Sequence, residues 1–268
     1  MVCNMTTPAY TPVSITLGSK HVPDVAKSII DYLEAPTKNR ISDYDFAAHQ
    51  RRLDFASGAS DTRITLGTIQ SADKLQAQFE RNLPKYHPTV TDKATAIAFA
   101  YQWFQQQEAT APWHLVAGLS DFVSADPLIL GGSYDALCEL WYHFYDDRPK
   151  GIGGTQVNKV LHQVLPELVV IYDSKLSDLY EGEKLGGAVK KARIATDKAN
   201  KWNKKDSFAW EPLRRDMATL TATDITNIRQ GVAELPCKNA LIIEGKAANI
   251  WASENLSLVR LIDMVAWQ

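Results

Sequence analysis

Apolar residues recur three and four positions apart through most of this chain, the spacing that lines one face of an α-helix. Pro23-Asp24 opens a helix with Val25, Ile29, Ile30 and Leu33 on one side, broken at Pro36-Thr37-Lys38-Asn39. Leu75, Gln78, Phe79 and Leu83 keep register in a second helix from Ser71 to the Pro84–Pro88 stretch. Thr91-Asp92 caps a longer one to about Gln107, with Ala94, Ile97, Ala98, Tyr101 and Phe104 as its stripe. Ser133 opens a helix through Tyr145 that carries Leu137, Leu140, Trp141 and Phe144, and Thr155 opens another that Pro166 stops. Further helices are predicted over 185–201, 222–234, 239–252 and 255–267. Three stretches depart from the period. The first twenty residues read as irregular. Residues 41–70 have no clear period, with a loop at Ser57–Ser60 and a short strand readable in Arg63-Ile64-Thr65-Leu66. Leu168-Val169-Val170-Ile171-Tyr172 is a short extended run ending in a cap, Asp173-Ser174. The class predicted is all-α in the main, with short strands in the N-terminal part.

Composition narrows this further. At 268 residues with 45% apolar and 22% charged positions, the chain can bury a core without covalent staples. Seven Trp, ten Tyr and eight Phe exclude wholesale disorder. The length suits one large domain or two lobes sharing a cleft. No apolar run is long enough to span a membrane, and Met1 to Pro8 lack the basic-then-apolar order of a signal peptide. Cys3, Cys138 and Cys237 are far apart and form no CxxC pair, as expected of a reduced, cytoplasmic protein. The net charge of -2 conceals an asymmetry: Arg148 to Arg215 holds fourteen Lys or Arg against eight Asp or Glu, a balance of +6 that leaves -8 on the rest. Lys184, Lys190, Lys191, Arg193, Lys198, Lys201, Lys204 and Lys205, with Trp202 and Phe208 interleaved, suit a phosphate backbone, or else form a solvated helix face. Lys190, Lys191 and Lys198 are the candidate DNA contacts of this run.

The most informative segment is Gly151-Ile152-Gly153-Gly154-Thr155-Gln156-Val157-Asn158-Lys159-Val160-Leu161, followed by Asp173. Glycines admit φ > 0 and let backbone N–H groups approach a ligand. The N-terminus of the following helix adds the positive end of a dipole. A turn of this kind between two helices grips a phosphate without a base-specific side chain, although the same glycines also serve as a C-cap and loop. Lys150, Gly151, Gly153, Gly154 and Thr155 are the candidate backbone contacts.

With Asp173 included, the segment resembles the helix-hairpin-helix superfamily of DNA glycosylases, whose pattern is Leu-Pro-Gly-Val/Ile-Gly, a helix, and an Asp capping the next helix. Gly151, Ile152, Gly153, Asn158, Val160 and Leu161 follow it, with Lys150 as an extra residue after Pro149. Asp173 falls on the catalytic aspartate. The slot of the lyase branch's lysine is Thr155 here, as in the monofunctional branch, and Lys159 lies four residues on along the same helix face. Lys159-Val160-Leu161-His162, Pro166 and Ile171-Tyr172-Asp173-Ser174 are similar to a bacterial group with an oxoguanine-glycosylase-like fold, which carries Lys-x-Leu-His, Pro and Tyr-Asp-Ser-x-Val. Arg260-Leu261-Ile262-Asp263-Met264-Val265-Ala266-Trp267 is similar to that group's last helix, Arg-x-Ile-Glu-Met-x-Leu. The likeness spans residues 130–182 and 255–268; residues 1–130 carry none.

The resemblance implies two helical lobes around a cleft, an N-terminal lobe over 1–130 lending much of the base pocket, and a helix-hairpin-helix lobe over 131–268. It implies a monomer acting on double-stranded DNA, flipping a damaged or modified base and hydrolysing its N-glycosidic bond. A buried carboxylate stabilises the positive charge that builds on the sugar and can activate water. Asp173 is the candidate for that role, or is an N-cap alone. Lys159 is the candidate amine nucleophile, or a phosphate contact, or a partner of Asp173. No cofactor is expected: His21, His49, His87, His114 and His143 show no metal spacing, and the dinucleotide and phosphate-loop fingerprints are absent. The family's hairpin does leave a place for a monovalent cation. An oxidised purine follows the resemblance as substrate, in base-excision repair, while a hypermodified pyrimidine of phage DNA would make the protein a defence enzyme. A non-catalytic DNA-binding or damage-sensing module, and an unrelated helical scaffold, are the alternatives.

Overall fold

The computed structural model describes residues 10–35, 44–50, 63–119, 121–180, 210–238 and 242–268. The helix predicted over 185–201, with Lys190, Lys191 and Lys198, lies outside the described residues. What is described is mostly helical, as the period predicted, with two small antiparallel hairpins among the described residues.

The first hairpin pairs Ile15–Leu17 with Lys20–Val22, in register Ile15 to Val22, within the stretch that read as irregular. Three-residue strands are too short to show a period of two. Ile15, Leu17 and Val22 face the core and fix the register. Asp24 then caps the helix Val25–Glu34 by accepting from the Lys27 N–H at 3.0 Å. This helix packs on two helices from the other end of the chain, Ala222–Glu234 and Leu258–Ala266. Gly231 permits the first contact: a Cβ there would sit 2.7 Å from the Ala26 Cβ and 2.6 Å from the Tyr10 ring. One hydrophobic cluster thus runs from Tyr10 to Ala266 and draws on both the 1–130 and the 131–268 segments.

Two predicted elements are corrected. Arg63-Ile64-Thr65-Leu66 is no strand, because Thr65 caps a helix over Leu66–Ala72 through a reciprocal pair with Thr68. The helix predicted over 239–252 starts only at Ala248. Before it, Ile242–Ile243 pairs with Lys246–Ala247 around Glu244 and Gly245, both at positive φ (49° and 77°). Two successive left-handed residues make a tight reversal that no α-helix accommodates.

The elements that carry the candidate site are the helices Ser133–Tyr145, Gly154–Val164, Ser174–Leu179 and Leu258–Ala266, together with a helical stretch at 44–50.

Candidate functional site

The Ser133–Tyr145 and Gly154–Val164 helices pack together across the 146–153 turn. Trp141 Nε1 donates to Asn158 Oδ1 at 2.7 Å, and the Trp141 and Tyr145 rings close over Gly154. Gly151 takes φ +95°, and a Cβ there would meet the Asn82 carbonyl oxygen and the Leu83 Cα at 3.1 Å. Its freedom therefore serves contact with the protein's own backbone. His87 Nε2 holds the Lys150 carbonyl at 2.8 Å from the same side. Within the turn, Ile152 N–H donates to Pro149 O and Gly153 N–H to Gln156 Oε1. Among the described residues, the N–H groups of Gly154 and Thr155 have no acceptor, and Lys150 is exposed beside them. Gly151→Ala is expected to lower stability by about 1–3 kcal/mol through left-handed strain. Gly153→Ala, at φ -108° and against only a flexible Gln156 tip, is expected to lose much less; urea unfolding of the two variants checks this.

The Gly154–Val164 helix is buried nearly all round, yet one of its faces is polar. Thr155, Asn158, Lys159 and His162 stand at i, i+3, i+4 and i+7, and the last three are buried. Thr155 Oγ1 donates to Tyr172 O at 3.4 Å and Asn158 Nδ2 to the same oxygen at 3.2 Å. Trp141 thus fixes Asn158, and Asn158 fixes the peptide just before Asp173. Asp173 caps Ser174–Leu179: Oδ1 accepts from the N–H groups of Lys175 at 3.0 Å and Leu176 at 3.3 Å. Oδ2 accepts no hydrogen bond among the described residues, and the residue is buried, with 7% of its surface exposed. Burial raises the Asp173 carboxyl above its ordinary range, opposed by the Leu176 N–H, by the charge of Lys159, by the Lys175 N–H and by Arg260. One oxygen is thus held by the helix N–H groups.

Lys159 is 3% exposed, and its Nζ donates to Leu75 O at 2.7 Å and Gln76 O at 3.2 Å. These carbonyls explain a break in the helix predicted from Ser71. Gln76 and Gln78 both adopt left-handed φ (65° and 57°), so the backbone unwinds between Ala72 and Phe79. Three carbonyls are then released: Leu75 and Gln76 to Lys159, and Ala77 to Gln156 Nε2 at 2.8 Å. The strain of two left-handed non-glycine residues is tolerated because buried donors need those acceptors.

Behind Asp173 lies a buried charge network. Arg260, 2% exposed, donates Nε to Asp45 Oδ1 at 2.7 Å and Nη2 to Asp45 Oδ2 at 3.2 Å, while Nη1 donates to Asp263 Oδ2. The rings of Tyr32 and Tyr44 each stand 5.7 Å from the guanidinium carbon. Tyr44 also donates to the Lys159 carbonyl at 2.7 Å and stacks on His162. Burial pushes the His162 imidazole down to about 3, so it is neutral, and its Nδ1 pairs with Val169 O at 2.6 Å. Asp263 is fully buried, and its Oδ1 has no partner among the described residues. Burial pushes its carboxyl up to about 7 against the pull of Arg260, with Asp173 and Asp45 adding to the rise. A small, partly open pocket reaches Arg260 and His162 between His49, Pro166 and Ser257; Asp173 is not in its wall.

No family model, curated protein or solved structure matches the chain. The site is thus read from its residues. Among the described residues no group of His, Cys, Asp and Glu is disposed to hold a metal, and no helix is long and apolar enough to cross a membrane. The structure brings Asp173, Lys159 and Thr155 close together, with Thr155 in the first turn of the Gly154–Val164 helix beside Gly154, and places Lys150, Gly151 and Gly153 in the turn that leads into that helix. Sequence reasoning missed Asp45, which lies in a stretch without period. It also passed over the pairing of Arg260 with Asp263, although two charges three apart in the apolar run Leu258–Ala266 signal a buried pair.

Proposed function

We propose that the protein is a DNA glycosylase that hydrolyses the N-glycosidic bond of a flipped base. The observation that carries the reading is Asp173: a buried carboxylate, oriented by two helix N–H groups, with Oδ2 uncommitted and a cation close by. Such a group stabilises an oxocarbenium-like sugar and directs a water to it. The uncapped N–H groups of Gly154 and Thr155 and the exposed Lys150 would hold a phosphate of double-stranded DNA. The basic run at Lys190, Lys191 and Lys198 would extend that contact. In this reading the 146–153 turn is the hairpin of a helix-hairpin-helix lobe.

The test is incubation of the protein with duplexes carrying oxoguanine, uracil, alkylated bases or phage-modified pyrimidines, followed by an assay for abasic sites. Abasic sites on at least one duplex support the reading and name the substrate. Binding without abasic sites on any of them overturns it in favour of a non-catalytic module.

The chemistry is assigned to water rather than to an amine. At the lysine slot of the lyase branch stands Thr155, whose hydroxyl donates to Tyr172 O, and the Nζ of Lys159 donates to two carbonyls. An attacking amine must instead turn a lone pair to the sugar at about 3–3.5 Å. Borohydride is therefore expected to trap no covalent protein–DNA adduct, and the abasic product should break only on added base. An adduct lost in Lys159→Ala would make Lys159 the nucleophile.

A further inference from the structure

The surface beside the hairpin carries a feature that excision does not use. Leu83-Pro84-Lys85 forms a tight turn that Tyr86 closes, its N–H donating to Leu83 O at 3.0 Å. This turn is fastened to the hairpin on both flanks. Gly151 lies against the backbone of Asn82 and Leu83. His87 meets the Lys150 carbonyl, with its ring packed on Phe99 at 4.3 Å between centroids. Between these anchors the Tyr86 side chain stands 54% exposed. An aromatic ring on a rigid turn offers a broad contact face at small entropic cost on binding. The surroundings are cationic: Arg81, Lys85 and Lys150 are exposed, and Glu80 is the one acid in residues 79–90.

We propose that Tyr86 is a stacking residue of the nucleic-acid interface, its ring packing on a base or deoxyribose laid open where the duplex parts, while Arg81, Lys85 and Lys150 take the flanking phosphates. The proposal rests on the glycosylase reading, since that reading supplies the opened DNA. Every base has a π-face, so the contact is indifferent to sequence. Phosphate contacts respond to salt and stacking does not, which separates the two roles.

Fluorescence anisotropy on the full-length protein tests this with two labelled duplexes, one undamaged and one bearing a single tetrahydrofuran abasic analogue. Tyr86→Ala is expected to bind the abasic duplex roughly tenfold more weakly, in line with the loss of one stacked base. Its salt slope should match wild type, and its melting temperature should hold because the ring is exposed. Tyr86→Trp should restore the affinity. Lys85→Glu should weaken both duplexes alike and reduce the salt slope by about one or more. Wild-type affinity for the abasic duplex in Tyr86→Ala would overturn the stacking role and leave the glycosylase reading standing. A wild-type protein that binds neither duplex would overturn both.

Discussion

Asp173→Asn is expected to abolish excision while leaving the protein folded and able to bind DNA. A positioned acid–base group contributes on the order of 10²–10⁴-fold to a rate, and Asp173 is the buried carboxylate whose Oδ1 is held by helix N–H groups while its Oδ2 accepts no hydrogen bond among the described residues. Asparagine retains an oxygen that accepts from the N–H groups of Lys175 and Leu176, so the cap on Ser174–Leu179 persists. The charge alone is lost. The sign of the stability change follows from the raised proton affinity of the buried carboxyl. A carboxyl held above its unfolded value contributes stability in full below about pH 4, and that contribution is lost as pH rises through the folded value. Relative to wild type, the Asn variant should therefore gain stability between pH 5 and pH 8. Single-turnover excision assays and melting curves at both pH values check the two halves. Undiminished excision would remove Asp173 from the mechanism.

Arg260→Met is expected to be the most destabilising single change. It leaves Asp45 and Asp263 buried without the cation that both face, a situation worth about 3–5 kcal/mol. For a chain of this size that corresponds to a fall of roughly 10 °C in melting temperature. The loss should grow with pH. Asp263 already holds its proton up to about 7 while Arg260 is present, and removal of the guanidinium takes away the main influence opposing that rise. Below about pH 5 both acids can go neutral and part of the loss returns. Adding Asp45→Asn and Asp263→Asn to Arg260→Met should recover much of the stability at pH 8. Urea unfolding of the single and triple variants at pH 5 and pH 8 measures this, and wild-type stability of Arg260→Met at pH 8 would show that the three side chains are not energetically linked. Asp263 is also tied to the candidate site, since the charge of Asp173 adds to the rise of its carboxyl.

How much of this was legible in the residues differs from element to element. The helices Val25–Glu34, Lys93–Glu108, Ser133–Tyr145 and Ala222–Glu234 could be read from period and caps because both are local properties, complete within four or five neighbouring residues. Asp173 as the cap of Ser174–Leu179 was legible for the same reason. The 15–22 hairpin was not, since three-residue strands leave no pattern to count. The break at Gln76 and Gln78 was hidden more deeply. The local sequence favours an unbroken helix, and what interrupts it is a lysine 83 residues further along the chain from Gln76.

The sequence by itself determined a largely helical chain, the cap at Asp173, the two-helix setting of the 146–153 turn, and a helix face shared by Thr155 and Lys159. Only the tertiary structure decided what that face does. It turned Lys159 toward the carbonyls of Leu75 and Gln76, brought Asp45 from a featureless stretch onto Arg260, and left one oxygen of Asp173 uncommitted. These outcomes depend on which distant groups share a dry interior. There an unpaired charge is so costly that the backbone of another segment, here residues 75–78, gives up its own helix to supply a partner.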